Sequence, residues 1–219
     1  NYCLNNPIKY IDPDGKDAVI TMQGNTITIT SNIILTGPLA TNTLAEAYLN
    51  NIMDNWGKMN TYVYDEVIYQ IVWNINVRVA EEGESMNFNG INNYLEVLHE
   101  NSTYNGKKIT NSRIYNSNYG FIRGKDWYGM SFDETNPMSH EFGHIMGIVD
   151  RYASQQPSKG WEGNIMAESA GRGIVEMRNL DIFLPKAIDY LNLANRWSGN
   201  APWIKYSIND NNREKKREK

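Results

Sequence analysis

His140 and His144 lie four residues apart, with Glu141 between them. On an α-helix that spacing stacks two imidazoles on one face, where both can grip a single metal ion. Glu141 adds a carboxylate beside them. Such a group can take a proton from a water molecule that a zinc ion has acidified to a pKa of roughly 7, so a nucleophile is available near neutral pH. A catalytic zinc takes three protein donors and leaves one position open, so the pair calls for a third. Asp150 is the preferred donor. Gly147, three residues past His144, can adopt the left-handed conformation that ends a helix and turns the chain back toward the ion. Glu162, Glu168 and Glu176 are the alternatives further along. The chain has only three histidines, and two of them sit at ligand spacing around a glutamate; His99 lacks such a context and reads as an ordinary strand or loop residue.

The run H-E-F-G-H-I-M-G-I-V-D over residues 140–150 resembles the metzincin zinc signature H-E-x-x-H-x-x-G-x-x-H/D. The variant with aspartate as third ligand occurs in snapalysin-like bacterial enzymes. Downstream, Asn164-Ile165-Met166-Ala167 looks like the Met-turn that runs beneath the zinc in that clan. The resemblance implies a zinc metalloendopeptidase, with Zn2+ on His140, His144 and Asp150, Glu141 as general base and Met166 as a hydrophobic floor under the ligands. It also implies an α+β fold of zincin type: a twisted mixed β-sheet, an active-site helix carrying both histidines, and a C-terminal helix. It covers roughly residues 16–200, and its specific part is the stretch 140–166.

Two departures from the family pattern stand out. Some metzincins carry a tyrosine two residues after the Met-turn methionine, where it helps stabilise the tetrahedral intermediate; Glu168 stands there instead. The spacer from Asp150 to Met166 is also long, and contains Arg151, Tyr152, Trp161 and Glu162. In the thermolysin-like arrangement a glutamate from a second helix is the third ligand, but no matching motif surrounds Glu162, Glu168 or Glu176. In metzincins the strand leading to the active-site helix is the sheet edge beside the cleft, and a substrate peptide adds to it by main-chain hydrogen bonds. By that resemblance residues 126–132, with Trp127, Tyr128 and Gly129, are the expected substrate contacts.

A second resemblance lies at the N-terminus. Tyr2-Cys3-x-Asn5-Asn6-Pro7 followed by Asp12-Pro13-Asp14-Gly15 resembles the closing motif of the RHS repeat-associated core, Y-x-Y-C-x-N-N-P and then D-P-x-G. In that family the repeats build a large β-shell, the motif marks its end, and a variable C-terminal domain, often a toxin, follows. This implies a bacterial effector, secreted or delivered, with an RHS shell in the full-length chain, a cognate immunity protein, and a protein or peptide substrate. Turn chemistry alone also accounts for these Asn-Pro and Asp-Pro-Asp-Gly steps. The expected division is residues 1–15 as the RHS remnant, 16–208 as the metallopeptidase domain and 209–219 as a charged, frayed tail. Two other readings of the whole chain are a non-catalytic zincin-fold protein-binding domain and a zinc amide hydrolase acting on a non-protein substrate.

The elements that must position these residues follow from apolar spacing. Residues 17–35 are rich in Thr, Ile and Val around Gln23-Gly24-Asn25 and read as a strand hairpin. Residues 43–59 switch to helical spacing through Leu44, Ala47, Tyr48, Ile52 and Trp56. Residues 62–69 and 71–80 return to strands, with Ile75, Val77 and Val79 on one face; 81–93 reads as a loop and 94–99 as a short strand. Residues 114–132 are aromatic and punctuated by glycine. Asn136-Pro137 offers an N-cap and a proline at the first helical position, so the ligand helix should start there and run to about Gly147. Residues 170–173 read as a loop and 182–197 as the last helix, with Ile188, Leu191 and Ala194 facing the core.

Composition narrows the class further. A chain of 219 residues that is 41% hydrophobic can build one substantial core. A net charge of -4 argues against nucleic acid as the main partner, since phosphate binding needs a basic field. No apolar run reaches the length of a membrane span, and the first residues lack the basic-then-apolar order of a secretory signal peptide. The single cysteine, Cys3, excludes an intramolecular disulfide.

Overall fold

Alternating Ile and Thr in the first described strands buries one face and leaves the other half-buried, which sets the sheet on its core. The computed structural model describes residues 18–87, 91–99, 101–104, 107–108, 112–115, 119–123, 137–153, 156–168, 172–198 and 206–208. The RHS-like motif, Cys3, Trp127, Tyr128, Gly129, Asn136 and the charged tail lie outside these residues.

β1 (Ala18–Gln23) and β2 (Thr26–Thr36) form the expected hairpin around Gly24 and Asn25. A helix, α1 (Asn42–Asn55), follows, capped by Thr41, whose hydroxyl accepts from the Leu44 N–H at 3.2 Å. It is shorter than the 43–59 spacing suggested, because residues Trp56–Lys58 tighten into a 3-10 turn. β3 (Thr61–Tyr64) and β4 (Val67–Val79) come next. The expected single strand over 62–69 is therefore two strands, and β4 runs on unbroken through residue 70. The turn between them is Asp65-Glu66, both residues at positive φ (50° and 62°). A two-residue hairpin loop needs that geometry, but neither residue is the glycine or asparagine that announces it.

β5 (Asn92–Leu98) and β9 (Tyr119–Arg123) extend the sheet, and β8 (Arg113–Tyr115) closes this end of it. Two short pairs lie off the sheet: β6 (Thr103–Tyr104) with β7 (Lys107–Lys108), and β10 (Tyr152–Ala153) with β11 (Gln156–Pro157). The helices α2 (Pro137–Ile145), α3 (Met177–Leu180) and α4 (Leu184–Ser198) and a final strand, β12 (Tyr206–Ile208), complete the described fold.

The sheet is mixed. β2 is its spine: β4 runs parallel along one edge, residues 70–79 beside 26–35. The other edge is shared by β1, antiparallel over 26–30, and β5, parallel over 32–36. β9 is parallel to β5, and β8 antiparallel to β9. Among the described residues, β8, which lies against α2, is the last strand at this end of the sheet, and β9 is interior. Among the described residues an apolar core joins the sheet to α1, α2 and α4 through Ile27, Ile29, Ile33, Trp56, Phe142, Ile188 and Leu191. Tyr62 and Tyr64 of β3 donate to Asp181 and Asp189, tying the hairpin to the C-terminal helices. The architecture is α+β, as expected. Among the described residues no helix is long and apolar enough to cross a membrane.

Candidate metal centre

α2 is nine residues long and nearly all buried, so its register is fixed by what it touches at each end. A helix leaves its first four N–H groups without partners inside the helix. Pro137 removes one, and α1 supplies an acceptor for another: the Asn51 side-chain oxygen receives the Ser139 N–H at 3.0 Å. Ser139 Oγ in turn donates to the Asn51 carbonyl at 2.6 Å, and the Trp56 indole N–H donates to the Ser139 carbonyl at 2.9 Å. The residue just before His140 is held at three points by α1 and the turn after it.

At the other end Gly147 takes φ +79°, the left-handed conformation that the spacing anticipated. Ile148 N–H bonds to the Gly143 carbonyl and Gly147 N–H to the His144 carbonyl, both at 3.0 Å, which is the Schellman pattern of a glycine-terminated helix. This cap has a second effect. It turns the Ile148 carbonyl onto His144, whose Nδ1 donates to it at 2.8 Å. His140 is oriented from elsewhere, its Nδ1 donating to the Ile165 carbonyl at 2.7 Å. One residue on, the Met166 carbonyl receives the N–H of Arg151, the neighbour of Asp150, at 2.7 Å. Met166 itself is fully buried under α2, where a Cβ on Gly143 would meet its sulfur at 2.3 Å. Only glycine lets the helix and the methionine approach this closely.

With each Nδ1–H donated to a carbonyl, both neutral imidazoles turn an Nε2 lone pair toward the same point. Asp150 Oδ1 faces them there, 3.3 Å from His140 Nε2 and 3.2 Å from His144 Nε2. Three electron-pair donors converging without a positive charge between them would repel. Burial opposes charge on His140, but the Asp150 hydrogen bond, the Glu141 charge and the Ile165 carbonyl outweigh it and raise its pKa. Burial likewise pushes the Asp150 carboxyl up, yet the two imidazoles hold it well below the usual carboxylate range. A small divalent cation between the three donors would offset that repulsion. Two donors about 2.0–2.1 Å from one ion at a tetrahedral angle stand about 3.3 Å apart, which matches both observed separations. The donor set fits a metal ion, and among the described residues it comprises His140, His144 and Asp150 and no fourth side chain.

Glu141 is buried beside this set, close enough to His140 for its charge to raise the imidazole pKa. It also acts on Tyr48 of α1, where burial first and the Glu141 charge second push the phenol pKa well up. The alternative third ligands are engaged elsewhere. Glu168 accepts from the Gly163 N–H, Glu176 binds Asn164 and Arg178, and Glu162 is exposed. His99 is exposed at the end of β5. The long spacer folds on itself: β10 and β11 form a small hairpin, and the Arg151 guanidinium stacks 4.4 Å over the Trp161 ring. The Tyr152 ring lies 6.2 Å from that of His140.

Sequence reasoning missed Asn51, Trp56, Gly143 and Asn179, because each acts through a partner distant in the chain. Gly143 alone left a trace, as a costly helix-interior glycine. Comparison with known protein families, with curated proteins and with solved structures finds no match to this chain.

Proposed function

We propose that this chain is a zinc metalloendopeptidase of the metzincin type, serving as the effector domain of an RHS-type polymorphic toxin. The observation that carries the reading is the convergence of His140 Nε2, His144 Nε2 and Asp150 Oδ1 with Glu141 alongside. A set of three protein donors is the ligand count of a catalytic zinc site, whereas structural zinc sites take four. The burial of Met166 beneath α2 supports the reading, and the mixed sheet with its flanking helices is a general α+β architecture.

His140, His144 and Asp150 would hold the ion. Bound there, zinc would supply Lewis acidity, polarising a scissile carbonyl and acidifying a water molecule. Glu141, on the next position of the same helix, would serve as the general base, accepting a proton from the attacking water and returning it to the leaving amine. The carbonyl contacts on both Nδ1 atoms favour the tautomers that leave Nε2 for the ion. The RHS assignment rests on the N-terminal motif alone.

Metal analysis of the purified protein, followed by a peptide-library cleavage assay with a chelator control, tests the function. One equivalent of zinc and chelator-sensitive cleavage are expected. Glu141→Gln should retain the metal and lose at least about a hundredfold in rate, the lower range of a general-base contribution. Wild-type protein that binds zinc but cleaves no peptide would leave a binding domain or an amide hydrolase acting on a non-protein substrate, and one that takes up no divalent metal would end the proposal.

A further inference from the structure

Residues 164–167 form an irregular turn, yet His140 depends on one of its carbonyls, so something must hold that carbonyl in place. The Ile165 carbonyl and the Met166 N–H belong to a single planar peptide unit and point in opposite directions. His140 Nδ1 donates to one end of it. At the other end, the Met166 N–H donates to the side-chain oxygen of Asn164 at 2.9 Å. The orientation of the Asn164 amide therefore sets the plane that receives His140.

That amide is oriented in turn. Asn164 Nδ2 donates to Asn179 Oδ1 at 2.8 Å and to Glu176 Oε2 at 2.7 Å, and Asn179 Nδ2 donates back to Asn164 Oδ1 at 3.1 Å. Asn179 is held the same way round by the Glu176 N–H, which donates to its Oδ1 at 2.8 Å. Both asparagines are fully buried. Polarity is thus transmitted without a break. The Glu176 N–H makes Asn179 Oδ1 an acceptor, Asn164 must then present its amino group to Asn179 and its oxygen to Met166, and the Ile165 carbonyl faces His140. Only the Nδ1–H tautomer of His140 satisfies that carbonyl, which leaves Nε2 for the ion.

We propose that Asn179 and Asn164 are positioning residues that fix the tautomer and ring orientation of His140. The purpose of the relay rests on the metal reading above, but its existence does not. His144 provides an internal control, because its carbonyl partner, Ile148, lies outside the 164–167 turn.

The test is a nitrogen-15 histidine spectrum of the metal-free protein, recorded above the imidazole titration range, alongside zinc affinity by competition with a chromophoric chelator. Wild type should show the Nδ1–H tautomer at both ligand histidines. Asn179→Ala should mix the tautomers of His140, leave His144 unchanged, and weaken zinc binding about ten- to a hundredfold, the usual effect of losing an outer partner of a metal ligand. Leu191→Ala, a core truncation in α4, should lower stability and change neither readout. Should Asn179→Ala fail to fold, Asn179→Ser, which keeps a hydroxyl, should shift His140 in the same direction by less. A folded Asn179 variant with wild-type His140 tautomer and zinc affinity overturns the proposal, as does one in which both histidines change alike. Wild-type protein that takes up no zinc would sink the function proposed above, while the tautomer comparison would still judge the relay.

Discussion

Replacing Gly143 by alanine sets helix propensity against packing, and the geometry says which should win. Alanine is favoured over glycine in a helix interior by about 1 kcal/mol. The added Cβ would sit 2.3 Å from Met166 Sδ and 3.0 Å from its Cε, with Trp56 at 3.4 Å behind. Ordinary carbon–sulfur contact lies more than an ångström further out. Met166 is flexible, but it is fully buried, as is Trp56, so its thioether has no solvent to swing into. Overpacking of this kind costs about 1–3 kcal/mol, so Gly143→Ala should be net destabilising by roughly 0–2 kcal/mol once propensity is deducted. Removing the obstacle should invert the sign. Met166→Ala alone should cost about 2–5 kcal/mol by leaving a void, and in that background the alanine at 143 both gains propensity and refills part of the space. The four metal-free proteins, unfolded in urea at neutral pH, form a double-mutant cycle with an expected coupling of about 1–3 kcal/mol. Equal effects of Gly143→Ala in both backgrounds would refute the claim that helix and methionine are in tight contact.

Two further outcomes can be checked on the same protein. Asn51→Ala removes the acceptor that α1 offers to the first turn of α2, and should cost about 1 kcal/mol in the manner of a lost N-cap, read as a melting temperature lowered by about 2–4 °C; unchanged melting would show that the clasp is idle. The Arg78 guanidinium beside Glu84, then the backbone N–H of Glu81, hold the Glu84 carboxyl down at about 2, against an ordinary 4.5. A depressed carboxyl stabilises the fold fully above its unfolded pKa and loses that contribution as pH falls toward the folded one, so the effect fades between about 4.5 and 2. A carbon-13 titration of Glu84 should show the low midpoint and its return toward the ordinary value in Arg78→Ala; identical midpoints in both proteins would remove Arg78 as the cause.

How much was legible varies with how local the cause is. The β1–β2 hairpin and the alternation of Ile75, Val77 and Val79 follow from a period of two and a Gly-Asn turn, so they could be read directly. The Asp65-Glu66 turn could not, because glutamate does not favour the positive φ that Glu66 adopts within the β3–β4 pairing, although aspartate tolerates it. The end of α1 was misplaced for a related reason: Trp56 continues the apolar helical spacing, but its indole reaches across to Ser139, and the chain tightens there into a 3-10 turn.

The candidate centre divides in the same way. Spacing within eleven residues was enough to put His140 and His144 on one helical face, to end the helix at Gly147 and to return Asp150, since each of these is a consequence of local backbone geometry. The direction in which each imidazole points is not local. It depends on carbonyls at Ile148 and Ile165, on an asparagine pair drawn from segments that meet only in the folded chain, and on a helix cap donated by α1. A hydrogen bond is directional over a few ångströms and blind to sequence separation, so its partners could be known only once the chain had folded.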